Sequence, residues 1–447
     1  MHFSIPDTTE ISAKNSSNQQ AYTLFNIHIN GIHHCSLRYS QLRTFNDELQ
    51  RLFPTAMANI DTFPPKKFFS LSAKDTEERR LSLEHYLQAI VQNRYIITSS
   101  YFKEFLLGAQ CEIFSNESID GNEKINLTIC LLNNHEIIVE NLSKNDSTSR
   151  LFDLCGTKIQ IQQDLLTYFG LFFYEMKDNQ LNIIRPLYDF ESPYLSLKQL
   201  KKTYKEACIV LKKSYWDSDF DMKVMEDRRA RNLLFVQARY EIEQSQDLYP
   251  SDIYRQLEIL HENNSFKDYI LLARTSKFYG HILLKQSSIL YPISDTSKQK
   301  LCQCLLSVGN NEMICCIKSD EKKKTKEVSF KVTRIRCWKV NWTKTEVNIA
   351  FEYLIKKDNL QWITIHTEQA ALVSSCLQSM VDEILAKRTG ATSPPAATTT
   401  TTTTTESATP IDKTSGQIRN GLMFRTETNW KQFGNDEMLD EDNDDDL

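Results

Sequence analysis

The sequence predicts a multidomain α+β protein: several small folded units in series, followed by a long unfolded tail. Three observations predict it. The chain of 447 residues is long enough for two to four domains, and 40% hydrophobic with 10% aromatic residues supplies their cores. The period of its apolar residues changes along the chain, from a hairpin with helices, to strands with a helix, to helices alone, to a run of strands closed by one helix. After Thr389 the composition collapses into Pro394-Pro395 and the run Thr398–Thr405, with too few apolar residues to bury a core.

In order along the chain, residues 1–20 are polar enough to read as a disordered N-terminus. Apolar-rich runs from Ala21 to Ile29 and from Ile32 to Tyr39 flank Asn30-Gly31, the strongest short hairpin signal. A helix is expected near Tyr39–Leu52. Pro64-Pro65 forbids helix and makes the connection after Phe63 extended. A helix over about Thr76–Val91 follows, with Leu81, Leu83, Tyr86, Leu87 and Ile90 inside, then one over Ser100–Ala109, closing a domain at 21–111.

Residues 112–122 read as a linker. Residues 123–205 hold two strands around Asn133-Asn134, a helix and further strands. Residues 206–278 are helical: a long helix from about Met222 to Ser245, then helices starting near Pro250 and Ser265. Its run Glu226-Asp227-Arg228-Arg229 reads as a solvated face. Residues 279–388 carry seven strand-like segments and a closing helix at about Glu368–Ala386. Lys322-Lys323-Lys324 reads as a loop between two of those strands. Residues 389–447 form a disordered tail.

The net charge of −5 is a property of that tail: 388–447 carries 5 basic and 11 acidic residues, whereas 112–387 carries 37 of each. No basic excess supports nucleic-acid binding. Eleven scattered cysteines with no leader-like start argue for reduced thiols in the cytosol. No apolar run reaches the ~18 residues of a spanning helix. His28, His33, His34 and Cys35 crowd the first turn, but alternating strand faces send neighbours apart, so no metal is expected. Catalysis has no support: no phosphate-cradling glycine loop, His-Glu-x-x-His or nucleophile elbow is present. No cofactor is expected.

Cations gather around one stretch. Arg38-Tyr39-Ser40 ends the hairpin, Lys66 follows Phe63-Pro64-Pro65, and Arg79 opens a helix. Arginine forks and a lysine point charge suit a doubly charged phosphate, each bond being worth roughly 1.5–3 kcal/mol. This set resembles the PX domain family. The resemblance implies binding of phosphatidylinositol 3-phosphate: Arg38 on the 3-phosphate, Tyr39 under the inositol ring with Ser40 beside it, Lys66 on the 1-phosphate and Arg79 on ring hydroxyls. Phe68 and Phe69, next to the cations, are expected either to insert into the bilayer interface or to be core.

The segments 123–205, 206–278 and 279–388 resemble a FERM-like module: ubiquitin-like, helical bundle, and PTB/PH-like sandwich. PX followed by FERM is similar to the PX-FERM sorting nexins, as are the stretches 212–217, 336–338 and 376–383. That family implies an endosomal cargo adaptor, peripheral on the cytoplasmic side of the early endosome membrane. It would bind Asn-Pro-x-Tyr or Asn-x-x-Tyr signals in receptor tails and promote recycling over lysosomal degradation. A membrane–cytoskeleton linker or signalling scaffold is the alternative. The peptide is expected along an edge strand at 334–340, touching Trp338 and Val340, with Val373, Leu377 and Met380 of the closing helix; Trp338 as plain core is the competing reading. Eight of the last twelve residues are acidic, and the resemblance implies that Asp444, Asp445, Asp446 and Leu447 engage a Retriever-type recycling complex.

Overall fold

The computed structural model describes the chain except for residues 12–20, 59, 61, 68–71, 116–122, 178–179, 293–298, 319–324, 343–345, 357–358, 396–416, 420–421 and 425–447. The first domain is a small antiparallel sheet backed by helices. Strands β1 (Phe3–Ser4) and β2 (Thr8–Ile11) lie along one edge of β3 (Tyr22–Ile29), and β4 (Ile32–Arg38) lies along the other. Asn30 and Gly31 both take positive φ, 49° and 82°, as a two-residue turn matched to strand twist requires. Gly31 is needed twice over, because a Cβ there would stand 2.5 Å from the Trp342 indole. The expectation of disorder over 1–20 fails at its start: Phe3 and Ile5 are buried in the core, and Phe3 pairs through β1 with Ile29.

Helices α1 (Tyr39–Leu52), α2 (Pro54–Met57), α3 (Ala73–Ile90), α4 (Arg94–Ile97) and α5 (Ser100–Ser115) complete this domain. Ser72 caps α3 reciprocally with Asp75, which starts it earlier than periodicity suggests. Leu81, expected inside, is 51% exposed.

The second unit joins β5 (Lys124–Cys130), β6 (Glu136–Ser143), α6 (Thr148–Ile159), α7 (Gln163–Leu166), β7 (Phe169–Lys177), β8 (Gln180–Pro186), α8 (Pro193–Leu200) and β9 (Ala207–Lys213). Its sheet runs β6-β5-β9-β7-β8, with β5 and β9 parallel. Strand β9 is the centre of this sheet, so the boundary expected at 205/206 moves past Lys213. Helices α9 (Phe220–Val224), α10 (Arg228–Gln244), α11 (Ser251–Glu262) and α12 (Phe266–Ala273) form the third unit. The single long helix expected from Met222 is broken at Asp227, whose carboxylate accepts the N–H groups of Arg229 and Ala230 at 2.8 Å each.

The last unit holds β10 (Ile282–Pro292), β11 (Gln299–Gly309), β12 (Glu312–Lys318), β13 (Thr325–Lys331), β14 (Ile335–Trp342), β15 (Val347–Lys356), β16 (Asn359–His366) and α13 (Ala370–Arg388). Two short tail strands, β17 (Gln417–Arg419) and β18 (Leu422–Phe424), join the same sheet beside β14. The Lys322–Lys324 run lies outside the described residues.

The first and second units are fastened together by buried polar bonds. Gln110 donates to Ser196 Oγ (2.9 Å) and accepts from the Ser192 N–H (2.8 Å), while Lys103 pairs with Asp189 at 2.7 Å. Behind them Arg185 and Glu191 form a two-pronged ion pair at 2.6 and 2.8 Å, fully enclosed.

Candidate lipid and peptide sites

The cation site forms where three segments meet. Arg38 is the last residue of β4 and the N-cap of α1; its side chain is exposed and lies over the Tyr22 ring, 3.3 Å from the centroid. Tyr39 is half-buried. Its hydroxyl donates to the Pro64 carbonyl at 2.7 Å, its ring packs on Phe63, and the Arg79 guanidinium stands 4.4 Å over it. Arg79 also donates weakly to the Pro65 carbonyl, at 3.4 Å. Tyr39 thus ties the start of α1 to the proline segment and to α3. Lys66 continues from Pro65 and is exposed, as is Ser40.

The charges around this point are unequal in a useful way. Lys67 pairs with Asp75, whose carboxyl is held well below the usual range by that lysine and by Ser72. Arg80 is committed to Glu77, Glu84 and the Ile5 carbonyl. By contrast, among the described residues no carboxylate pairs with Arg38, Lys66 or Arg79. The first turn of α1 has no acid, so its N–H groups add to the positive field. The sequence reading missed Tyr22; counting register outward from Asn30-Gly31 brings the start of β3 to Arg38, with Leu24 opposite it. Phe68 and Phe69 lie outside the described residues.

The expected peptide site needs correction in two respects. First, Trp338, Val373, Leu377 and Met380 are core: all are at most 3% exposed, and the Trp338 indole N–H donates to Ser374 Oγ at 2.9 Å. Arg336 is the extra residue of a bulge between Ile335 and Cys337; beyond it the strand alternates, Lys339 outward and Trp338 inward under α13. Val340 alone of the five is half-buried. Second, β14 is not an edge. Its backbone pairs antiparallel with β18, Cys337 opposite Phe424 and Trp338 opposite Met423. Asp444, Asp445, Asp446 and Leu447 lie outside the described residues. Among the described residues no cluster of His, Cys, Asp and Glu is placed to hold a metal, and no helix is long and apolar enough to cross a membrane.

A family model matches each of the four folded units. A PX domain matches residues 25–108, the F1 lobe of the sorting nexin 17/27/31 FERM domain 125–216, the F2 lobe of the sorting nexin 17/31 FERM domain 217–277, and the sorting nexin 17 FERM C-terminal domain 280–385. Sorting nexin-17 of Danio rerio is 37% identical over 410 residues, covering 88% of this chain and 83% of its own. The chain belongs to the sorting nexin-17 family. The human sorting nexin-17 is 36% identical with the same coverage, and human sorting nexin-31 is 33% identical over 87% of this chain and 86% of its own. As a member of the sorting nexin-17 family the protein is an endosomal sorting adaptor, not an enzyme. The F1 match ends after β9, in agreement with the sheet.

Proposed function

We propose that the protein docks on phosphatidylinositol 3-phosphate through Arg38, Tyr39, Ser40, Lys66 and Arg79, and gathers Asn-Pro-x-Tyr or Asn-x-x-Tyr receptor signals on β14 for recycling. The observation that carries the lipid reading is the set of three cations with no carboxylate partner among the described residues, around the acid-free start of α1 and beside a lysine and an arginine that are both neutralised. The peptide reading rests on β14 itself: its edge accepts an antiparallel strand, because the chain's own β18 lies there. A receptor signal adding to that edge displaces residues 422–424. The acidic end at Asp444–Leu447, with a last apolar residue, suits a basic pocket on a recycling complex of the Retriever type. The working location is the cytoplasmic face of early endosomes.

Co-sedimentation of the full chain with vesicles bearing phosphatidylinositol 3-phosphate tests the lipid half. Arg38→Gln removes one charge-assisted contact, worth roughly 1.5–3 kcal/mol, so affinity falls about 10- to 100-fold with unchanged melting. Equal pelleting of wild type and variant would sink the assignment.

A further inference from the structure

Between the first, second and last units lies a cavity of about 290 Å³ that none of the sites above uses. Its walls are apolar: Val91 and Ile97 from the first unit, Phe172 and Leu187 from the second, Leu372 and Cys376 from the last. Five cations border it: the Met1 α-ammonium, Arg94, Lys103, Lys212 and Lys213. Lys212 is on β9, where Ile209 and Leu211 turn to one core while Val210 and Lys212 turn the other way, toward α13. Only 8% of Lys212 is exposed, and its ammonium stands 5.3 Å from the Phe172 ring centroid.

Lys103 pairs with Asp189 at 2.7 Å and Lys213 with Asp221 at 3.5 Å, the Met1 α-ammonium is attracted by Asp382, and Arg94 is exposed to solvent. Among the described residues no carboxylate lies within 4.0 Å of the Lys212 ammonium. Glu241, the carboxylate whose charge favours the ammonium, borders an adjoining cavity of about 490 Å³ that Lys212 also lines, and Glu241 Oε2 is buried with no hydrogen-bond partner among the described residues. An enclosed ammonium without a counter-ion is costly to keep, and burial pushes its pKa down. An anion delivered on an apolar body would relieve that cost.

We propose that this cavity is a binding site for a small amphiphilic monocarboxylate, its carboxylate on Lys212 and its hydrocarbon chain between Phe172 and Leu372. One lysine offers a point charge and no planar fork, which suits a single carboxylate better than a phosphate. At about 30 Å³ per water-sized unit, the volume takes a chain of about ten carbons. Such a ligand touches three of the four units at once and stabilises the folded chain by mass action.

The probe is decanoate, with decanol as the uncharged control, added to the full-length protein while thermal unfolding is followed. Wild type is expected to show a saturable rise in Tm with decanoate and a much smaller one with decanol. Lys212→Met, which removes the enclosed charge, is expected to start at an equal or higher Tm and bind decanoate at least about tenfold more weakly. Lys212→Arg keeps the response. Ser375→Phe, which fills the cavity from α13 without altering the ammonium, abolishes it and serves if Lys212→Met fails to fold. No decanoate response in wild type, an equal response to decanol, or an undiminished response in Lys212→Met or Ser375→Phe overturns the proposal.

Discussion

The cation site on the first domain and the β14 edge in the last unit are opposites. The first is made of side chains: three charges held apart by Tyr39 and two prolines, with no carboxylate partner among the described residues. The second is made of main chain, and in the structure it is already filled by β18. A side-chain site announces itself through residue types in order. A main-chain site does not, because any strand can offer the same N–H and C=O groups. The side chains most suggestive of recognition at β14, Trp338 above all, turned out to support the core beneath it.

That contrast can be broken or sharpened by substitution. The largest expected effect is from Trp338→Ala. It removes a core indole and strands the Ser374 hydroxyl, at about 3–5 kcal/mol of stability, read by denaturant unfolding. Vesicle binding by the first domain should persist below the unfolding transition. A variant that melts like wild type and loses only peptide affinity would return Trp338 to the peptide surface. Next in size, deleting residues 417–424 vacates the β14 edge. With two register pairs lost and each backbone bond worth about 1 kcal/mol net, an Asn-Pro-x-Tyr peptide should bind about tenfold tighter by calorimetry. Unchanged affinity would mean that the peptide uses another edge. The smallest effect is expected from Tyr39→Phe. The ring and its Arg79 contact stay, and only the bond to the Pro64 carbonyl goes, so lipid affinity should drop by about 1 kcal/mol or less. A loss as large as that of Arg38→Gln would show that the proline segment, with Lys66, depends on that single bond.

Local signals were legible where one residue type decides a conformation. Asn30-Gly31 gave its turn, and α1 spans Tyr39–Leu52 as its spacing predicts. What escaped the sequence were features that depend on a distant partner. Phe3 and Ser4, ahead of Ile5-Pro6, are too short a run to read as a strand, and only pairing with β3 makes them one. Strand β9 ends in Lys212-Lys213, and no local signal marks either lysine as buried, although both are. Asp227 is an ordinary charge until two N–H groups converge on it. The tail strand was visible only as Leu422-Met423-Phe424, an apolar triplet in an otherwise polar tail whose partner lies 85 residues upstream.

The fastening of the first domain to the second by Gln110, Lys103 and the enclosed residues around Glu191 has a consequence for geometry at the membrane. Two domains on a loose tether would let a docked adaptor swing and search for receptor tails at any height. On the proposed function, the lipid-facing end and the β14 edge belong to units joined by enclosed contacts, so anchoring the former sets the altitude and heading of the latter. Selection among receptors then includes a ruler: the stretch between a receptor's membrane exit and its signal must be long enough to span a set gap. Signals placed too near the bilayer are out of reach however well their sequence fits, and those just beyond the gap gain most from the raised local concentration.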